Sequence, residues 1–490
     1  MPLFFNSGLI FFAVFAILTP ATSKGAKAMD KTVCELFAGV GGFRCGLNGI
    51  SSIKDMNKKE KWDTVWFSQW EPAEKNSQYA HSCYVYHFGT CLDTEGNDTT
   101  NCNIEDVDKK TIPDFNLLVG GFPCQDYSVA SSLATSKGLE GKKGILWWSI
   151  REVLENKNPP FVLLENVDRL IKSPAKQRGR DFGIILACFR DEDYTVEWRV
   201  INAADYGYQQ RRRRTFIFAY KNDTVYASRI KDSIRFAPSF SNESLKKSMK
   251  ELLEEEGFFA STFPVESIDT KKFRTQILPA ALGEISDSFV FSFDNTGVMI
   301  DGTIYSVKTI PMYAGTQITL GDIMDTGDVD EQFFIPENKL YYTDPEVTHS
   351  DESITRLPKE SRKTWQYVKG AKKLPRKAAN GHEYIFSEGP VPMIDAYDKP
   401  ARTMLTSEGN FSRTTHIVRD KKTGRIRLLT PTEAERIQGF PTDHTKYCLV
   451  NGEKIEMPVK KRRFMMGNAL VVDLIKDMEK TLSDIFDSEP

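Results

Sequence analysis

The feature that most constrains this chain is an alternation, over residues 31–219, of short apolar runs with amphipathic stretches. That is how a βαβ sheet covered by helices on both faces reads in sequence. The clearest runs are residues 32–37, 116–122, 161–164 and 215–219. The first three each end in a turn that contains Gly, Pro or Asn and carries reactive side chains. Parallel strands deliver ligands to their C-terminal edge, so function is expected to gather there. Over residues 221–424 the pattern shifts to mixed strands, turns and charged segments, with a helix expected at 245–256 and β-structure at 289–310. Helical periodicity then returns. Thr430-Pro431-Thr432-Glu433 offers an N-cap, a Pro at the first helical position and a capping-box acid. A closing helix is expected at 470–486. The organisation expected is one catalytic α/β fold in two parts, 29–220 and 425–490, interrupted by an inserted module at 221–424.

At 490 residues the chain exceeds what one hydrophobic core usually organises, which agrees with a second sizeable module. A formal net charge of -2 supplies no global attraction for nucleic acid, so any such binding must come from local clusters of Lys and Arg. The eight cysteines form no CxxC pair, and the six histidines do not sit beside them at metal-ligand spacing. No metal site or disulfide framework is expected. Reduced thiols fit a cytoplasmic protein. An apolar run at residues 8–18 resembles a signal-peptide core, but the first basic residue, Lys24, follows it. The run is also too short to span a membrane. Residues 1–28 are therefore read as an extension ahead of a true start at Met29, and the sequons at Asn97, Asn222, Asn242 and Asn410 as having no glycosylation role.

Four constellations carry chemistry. Phe37-Ala38-Gly39-Val40-Gly41-Gly42 follows a strand and opens a helix, where glycines let a cofactor approach the backbone; a tight turn without a ligand has the same sequence. Trp70-Glu71 offers an aromatic face for an adenine and a carboxylate for ribose hydroxyls, or a core Trp beside a solvated acid. Gly120-Gly121-Phe122-Pro123-Cys124-Gln125 presents a thiol just after Pro on the turn leaving an apolar strand, and Glu165-Asn166-Val167 brings a carboxyl group to the same sheet edge. Thiolate is the reactive form of such a cysteine, and a partly buried Glu donates protons near neutral pH. In Gln210-Arg211-Arg212-Arg213-Arg214, alternate arginines should share a face of the strand that follows. This run, Lys460-Lys461-Arg462-Arg463 and the basic stretch 369–377 read equally as solvated faces or as contacts to phosphate or base.

Taken together, FAGVGG at 37–42, GGFPCQ at 120–125, ENV at 165–167, QRRRR at 210–214, LTPTEAERIQGFP at 429–441 and GNAL at 467–470 resemble the DNA (cytosine-5) methyltransferase family. The resemblance implies a Rossmann-like S-adenosylmethionine-dependent methyltransferase fold, with a mixed, mainly parallel sheet and a large inserted target-recognition domain. It implies that Phe37, Gly39, Gly41 and Gly42 cradle the methionine end of S-adenosyl-L-methionine, and that Trp70, Glu71, Asn103 and Ile104 hold its adenosine. Cys124 would attack C6 of a cytosine flipped out of double-stranded DNA, Glu165 would protonate or hydrogen-bond N3, Arg212 and Arg214 would orient the base, and Asn468 would shape the site. The segment 126–144, with Gly138, Gly141, Gly144, Lys137, Lys142 and Lys143, would close over the flipped base. Arg402-Thr403-Met404-Leu405-Thr406 looks like the closing motif of the recognition region. A monomer is expected, and the sequence leaves open a cognate restriction endonuclease acting separately or a solitary enzyme.

Departures from the family pattern leave points open. Gln69 stands where an acid usually precedes the aromatic residue, so either Gln69 or Glu71 is the ribose ligand. Asn103 replaces a common Asp, and Val471-Val472-Asp473 lies where a Pro is frequent. The competing functions are an RNA cytosine-5 methyltransferase on the same scaffold and a catalytically silent DNA-binding homologue.

Overall fold

A computed structural model describes residues 28–72, 77–122, 146–235, 242–267, 273–342, 361–378 and 381–490. Cys124, the glycine- and lysine-bearing segment 126–144 and residues 1–27 lie outside the described residues.

In chain order the first strands are β1 (Thr32–Leu36), β2 (Asp63–Ser68), β3 (Leu117–Gly121), β4 (Phe161–Val167), β5 (Tyr194–Asn202) and β6 (Arg213–Lys221). The four apolar runs become β1, β3, β4 and β6, whereas β2 and β5 do not figure among those runs. They stand in the order β2-β1-β3-β4-β6-β5. β1 pairs parallel with β2 and β3, and β3 with β4, while β6 runs antiparallel to both β4 and β5. Five of these six strands therefore point the same way, and their C-terminal ends form one edge.

Helices cover both faces. On one face lie α1 (Gly42–Leu47), whose start is left-handed at Gly41, and α2 (Tyr79–Phe88). On the other face α3 (Leu146–Lys157) and α4 (Arg180–Asp191) bury Trp147, Ile150, Phe182 and Ile185 against the sheet. This is the layered α/β architecture expected, with a mixed sheet at its centre.

The inserted stretch does not leave the sheet at once. After α5 (Val225–Arg235) and α6 (Asn242–Glu251), β7 (Val265–Ser267) precedes β8 (Arg274–Ile277), β9 (Thr296–Ile300), β10 (Thr303–Val307) and β11 (Thr309–Pro311). β9 pairs antiparallel with β5, so β9, β10 and β8 extend the catalytic sheet to nine strands. β7 and β11 form a separate pair. Further on, β12 (Lys372–Lys377) and β13 (Glu383–Glu388) make a two-stranded ribbon outside that sheet.

The chain returns through α7 (Pro431–Ile437), α8 (Val459–Asn468) and α9 (Val472–Ser488). The expected capping box is present: the Thr430 side chain accepts from Glu433 N, and Glu433 reaches back to the Thr430 amide. Helix α9 buries Leu474, Ile475, Met478, Leu482 and Phe486 on the α1 side. Each such aliphatic side chain contributes roughly 1.5–3 kcal/mol when fully buried. The Trp62 indole N–H donates to Glu479 at 2.9 Å, tying this last helix to the segment before β2. Among the described residues no helix is long and apolar enough to cross a membrane.

Candidate active site

At the end of β1 the backbone turns sharply, with positive φ at Phe37 (55°), Gly39 (58°) and Gly41 (87°). The glycines serve different ends. A Cβ at Gly41 would lie 2.7 Å from the Phe88 ring, and one at Gly42 3.2 Å from Leu470, so these two permit helix packing. A Cβ at Gly39 would meet nothing within 4 Å, which leaves open space above the turn where a ligand can approach the backbone. The Gly39 amide donates to Gln69 Oε1 at 2.8 Å, so the Gln69 side chain braces the turn.

Beside Gln69, Trp70 is 37% exposed and the Glu71 side chain is partly buried. Burial pushes the Glu71 carboxyl above its ordinary pKa, against the lowering effect of Lys461 and of the Tyr79 and Ala80 amides. Its Oε2 is buried and has no hydrogen-bond partner among the described residues. Gln78 fixes the Glu71 backbone from both sides, accepting from Glu71 N at 2.7 Å and donating to Glu71 O at 2.5 Å. Gln69 N donates to Thr100 O at 3.0 Å, which draws the 100–104 turn alongside. There Asn103 caps a short 3-10 turn (Ile104–Asp106) and Ile104 is buried. An open backbone cradle, an exposed aromatic face and an orphaned buried acceptor fit S-adenosyl-L-methionine.

Two residues missed by sequence reasoning support the turn from behind. Glu35 lies buried in β1, accepts from the Tyr84 hydroxyl at 3.0 Å, and is raised by burial to about pKa 7. The signal was present as a lone acid in the apolar run TVCEL. His444 donates from Nε2 to Val40 O at 2.7 Å, and burial depresses its pKa to about 3.

Spacing alone also passed over a trio of potential metal ligands. Cys83 and His87, four apart on α2, come with His444 to within 4.8 Å of one another. The hydrogen bonds they make are structural: Cys83 Sγ and His87 Nε2 both donate to the His444 carbonyl, at 3.6 and 2.6 Å.

The second half of the site lies where β3, β4 and β6 meet. Gly121 stands in register with Glu165, and a Cβ at Gly121 would come within 3.3 Å of Glu165 Oε2, so the glycine keeps space beside the carboxylate. Glu165 is 9% exposed and pairs with Arg214, Nε to Oε1 at 2.6 Å. Asn166 turns the other way, and its Nδ2 donates to the Phe122 carbonyl at 2.8 Å. That bond pins the chain two residues before Cys124.

Arg212 is 1% exposed and its pKa is lowered to about 9, chiefly by burial and then by Arg214. Its guanidinium donates to Met404 O at 3.0 Å and Gly467 O at 3.3 Å. The two segments it joins are packed tightly, because a Cβ at Gly467 would lie 2.3 Å from the Leu405 carbonyl carbon. Residues 401–404 run alongside 209–212 through Ala401 N to Gln209 O and Arg211 N to Ala401 O, each 2.8 Å. Asn468, the last residue of α8, is exposed.

The basic runs divide. Arg462 is buried against Glu435 at 2.8 Å, and Arg463 donates to the Leu429 carbonyl. Lys369 is buried, donates to Thr415 O at 2.7 Å, and is pushed by burial down to about pKa 8. Lys373, Arg376 and Lys377 are exposed on the ribbon. Among the arginines at 211–214, Arg213 is exposed while Arg212 and Arg214 turn inward, as strand alternation requires.

The sequence model of the family described as C-5 cytosine-specific DNA methylase matches residues 31–484. The type II methyltransferase M.Sau3AI of Staphylococcus aureus is 41% identical over 447 residues, 90% of this chain and 93% of the relative. The type II methyltransferase M.HhaI of Haemophilus parahaemolyticus is 31% identical over 189 residues, 39% of this chain and 49% of the relative. Among solved structures, that of a Spodoptera frugiperda DNMT2 mutant covers 93% of this chain at 14% identity with a TM-score of 0.49.

Proposed function

The chain belongs to the C-5 cytosine-specific DNA methylase family and is a DNA (cytosine-5) methyltransferase, and from that premise we propose that Cys124 attacks a cytosine flipped out of duplex DNA while Glu165 and Arg214 hold the base. The observation that carries this reading is the buried Glu165–Arg214 pair, one strand from the β3 exit whose Phe122 carbonyl Asn166 pins.

S-adenosyl-L-methionine supplies an electrophilic methyl group. Phe37, Gly39, Gly41 and Gly42 present backbone to its amino-acid end. Trp70, Asn103 and Ile104 embrace the adenine. Glu71 is the ribose ligand, since Gln69 Oε1 is already used by the Gly39 amide and Glu71 Oε2 is free to accept. Addition of the Cys124 thiolate to C6 makes C5 nucleophilic toward the methyl group. Loss of the C5 proton and expulsion of the thiolate then restore the ring. Glu165 hydrogen-bonds or protonates N3 as charge develops there. Arg212 acts as a positioning residue, holding the 401–404 segment and the end of α8 against the catalytic edge, and Asn468 shapes the base-binding loop. The inserted stretch 221–424 carries target recognition. The enzyme works as a monomer in the cytoplasm.

Incubation of purified protein with labelled S-adenosyl-L-methionine and either duplex DNA or transfer RNA tests the reading. Label at C5 of cytosine in duplex DNA is expected, with turnover abolished in Cys124→Ala. Exclusive labelling of RNA, or turnover retained by Cys124→Ala, would overturn it.

A further inference from the structure

The extension of the catalytic sheet by β9, β10 and β8 lengthens the edge on which Glu165 sits and opens a cleft of about 350 Å³ there. The cleft lies between the segment after β4, the ends of β5 and β6, and the turns flanking β9 and β10. Four cations line it: Lys172, Arg178, Arg213 and Lys308. All four are exposed.

Three carboxylates also line the cleft, and each has a partner. Asp168 lies 3.5 Å from Arg213, Asp294 lies 3.2 Å from Arg274 outside the cleft, and Asp205 accepts from Asn202 Nδ2 at 2.8 Å. Among the described residues Lys172, Arg178 and Lys308 form no salt bridge as close as 4 Å, while Arg178 and Lys308, with Arg274, act on the Asp294 carboxylate at longer range.

The walls are fixed by backbone contacts. Phe291 N donates to Arg178 O at 3.0 Å, Val200 N to Asn295 O at 2.7 Å, and Thr309 N to Asn295 Oδ1 at 2.9 Å. The cations therefore stand on a preformed frame. Its position is defined by sequence neighbours of the reaction centre: Asp168 follows Glu165 by three residues, and Arg213 lies between Arg212 and Arg214.

We propose that this cleft binds backbone phosphates of the duplex flanking the target cytosine, so that the sheet extension lengthens the DNA path past the reaction centre. The proposal rests on the DNA methyltransferase reading above. Spaced, exposed cations on a rigid frame suit a polyanion whose charges recur along its length, and such contacts position DNA without reading its sequence. The cleft offers too little apolar surface to favour a compact hydrophobic ligand.

The test compares wild type with the triple variant K172Q/R178Q/K308Q on a long duplex carrying the methylated site and on one trimmed to that site. On the long duplex the variant should show KM for DNA raised about tenfold or more, and a salt dependence of log K shallower by roughly two to three units, one per lost phosphate contact. The kcat at saturating DNA and the affinity for S-adenosyl-L-methionine should be unchanged. On the trimmed duplex the two proteins should converge, and the charge-conserving K172R/R178K/K308R should restore the long-duplex KM. An unchanged KM and salt slope, or an equal loss on both duplexes, would overturn the proposal. A wild-type enzyme that methylates no duplex DNA would overturn the underlying reading as well.

Discussion

Arg214 and Glu165 occupy adjacent antiparallel strands one diagonal step apart, Arg214 opposite Val167, and this offset brings their side chains to 2.6 Å on the same face of the sheet. Removing one partner of such an enclosed pair leaves an uncompensated charge, a loss of about 3–5 kcal/mol for a buried pair. Both side chains are under 15% exposed, so little of that is screened by solvent. Arg214→Ala should lower the midpoint of chemical denaturation and the turnover together. Glu165→Gln also leaves the Arg214 charge uncompensated but keeps an acceptor for it, so it should fold with a smaller stability loss than Arg214→Ala while kcat falls by roughly 10²–10⁴-fold. Unchanged kcat in Glu165→Gln would remove Glu165 from the chemistry.

The cofactor cradle makes a separable prediction. Glu71→Ala should weaken binding of S-adenosyl-L-methionine about 10- to 100-fold, as expected when hydrogen bonds to a charged acceptor are lost. Gln69→Ala should act more weakly, through the Gly39 turn. Titration calorimetry on both variants ranks them, and a larger effect at Gln69 would reverse the assignment of the ribose ligand.

Gly467 lies against the 405–406 backbone with no room for a methyl group. Gly467→Ala should cost about 1–3 kcal/mol through overpacking. It should also raise KM for DNA more than the Kd for cofactor, because it pushes on the segment that Arg212 anchors rather than on the glycine turn. Equal effects on both constants would disconnect that segment from DNA.

Buried Glu35 gives the stability a pH dependence. Its pKa rises to about 7 from the ordinary carboxylate value on folding. The folded state therefore binds the proton more tightly, and stability falls as pH rises between about 4.5 and 7, by about 3 kcal/mol at full extent. His444 acts in the opposite sense over an overlapping window: its folded pKa of about 3 makes stability fall as pH drops through 6.5 toward 3, so the two effects offset each other between about 4.5 and 6.5. Thermal unfolding of Glu35→Gln across pH 5 to 8 should show the variant gaining stability relative to wild type as pH rises from about 5 to 7, and an identical pH dependence in both proteins would contradict the assignment.

The strands whose apolar runs are unbroken were readable from sequence, and so were the turns at their C-terminal ends. β5 was not, because its middle carries Glu197 and Arg199, which look like surface residues. In the fold Glu197 accepts from Tyr226 and Phe258, and Arg199 donates to the Phe259 and Phe263 carbonyls. Partners distant in sequence make those charges tolerable inside, and no local pattern announces them. The same blindness affected the arginine runs. Arg212 and Arg462 are structural ties because of Met404, Gly467 and Glu435, residues that spacing alone does not bring together. Conversely, the Thr430–Glu433 capping box is wholly local, and it was legible to the residue.

The bond from Trp62 to Glu479 spans 417 residues of chain. The face of α1 that receives α9 therefore stays bare on the ribosome until the last helix emerges, some 20 to 80 s later at roughly 5–20 residues per second. During that interval the nascent catalytic half exposes apolar surface, so a slowed or truncated translation product should be a client for chaperones, and the protein becomes an enzyme only when its final turns are made.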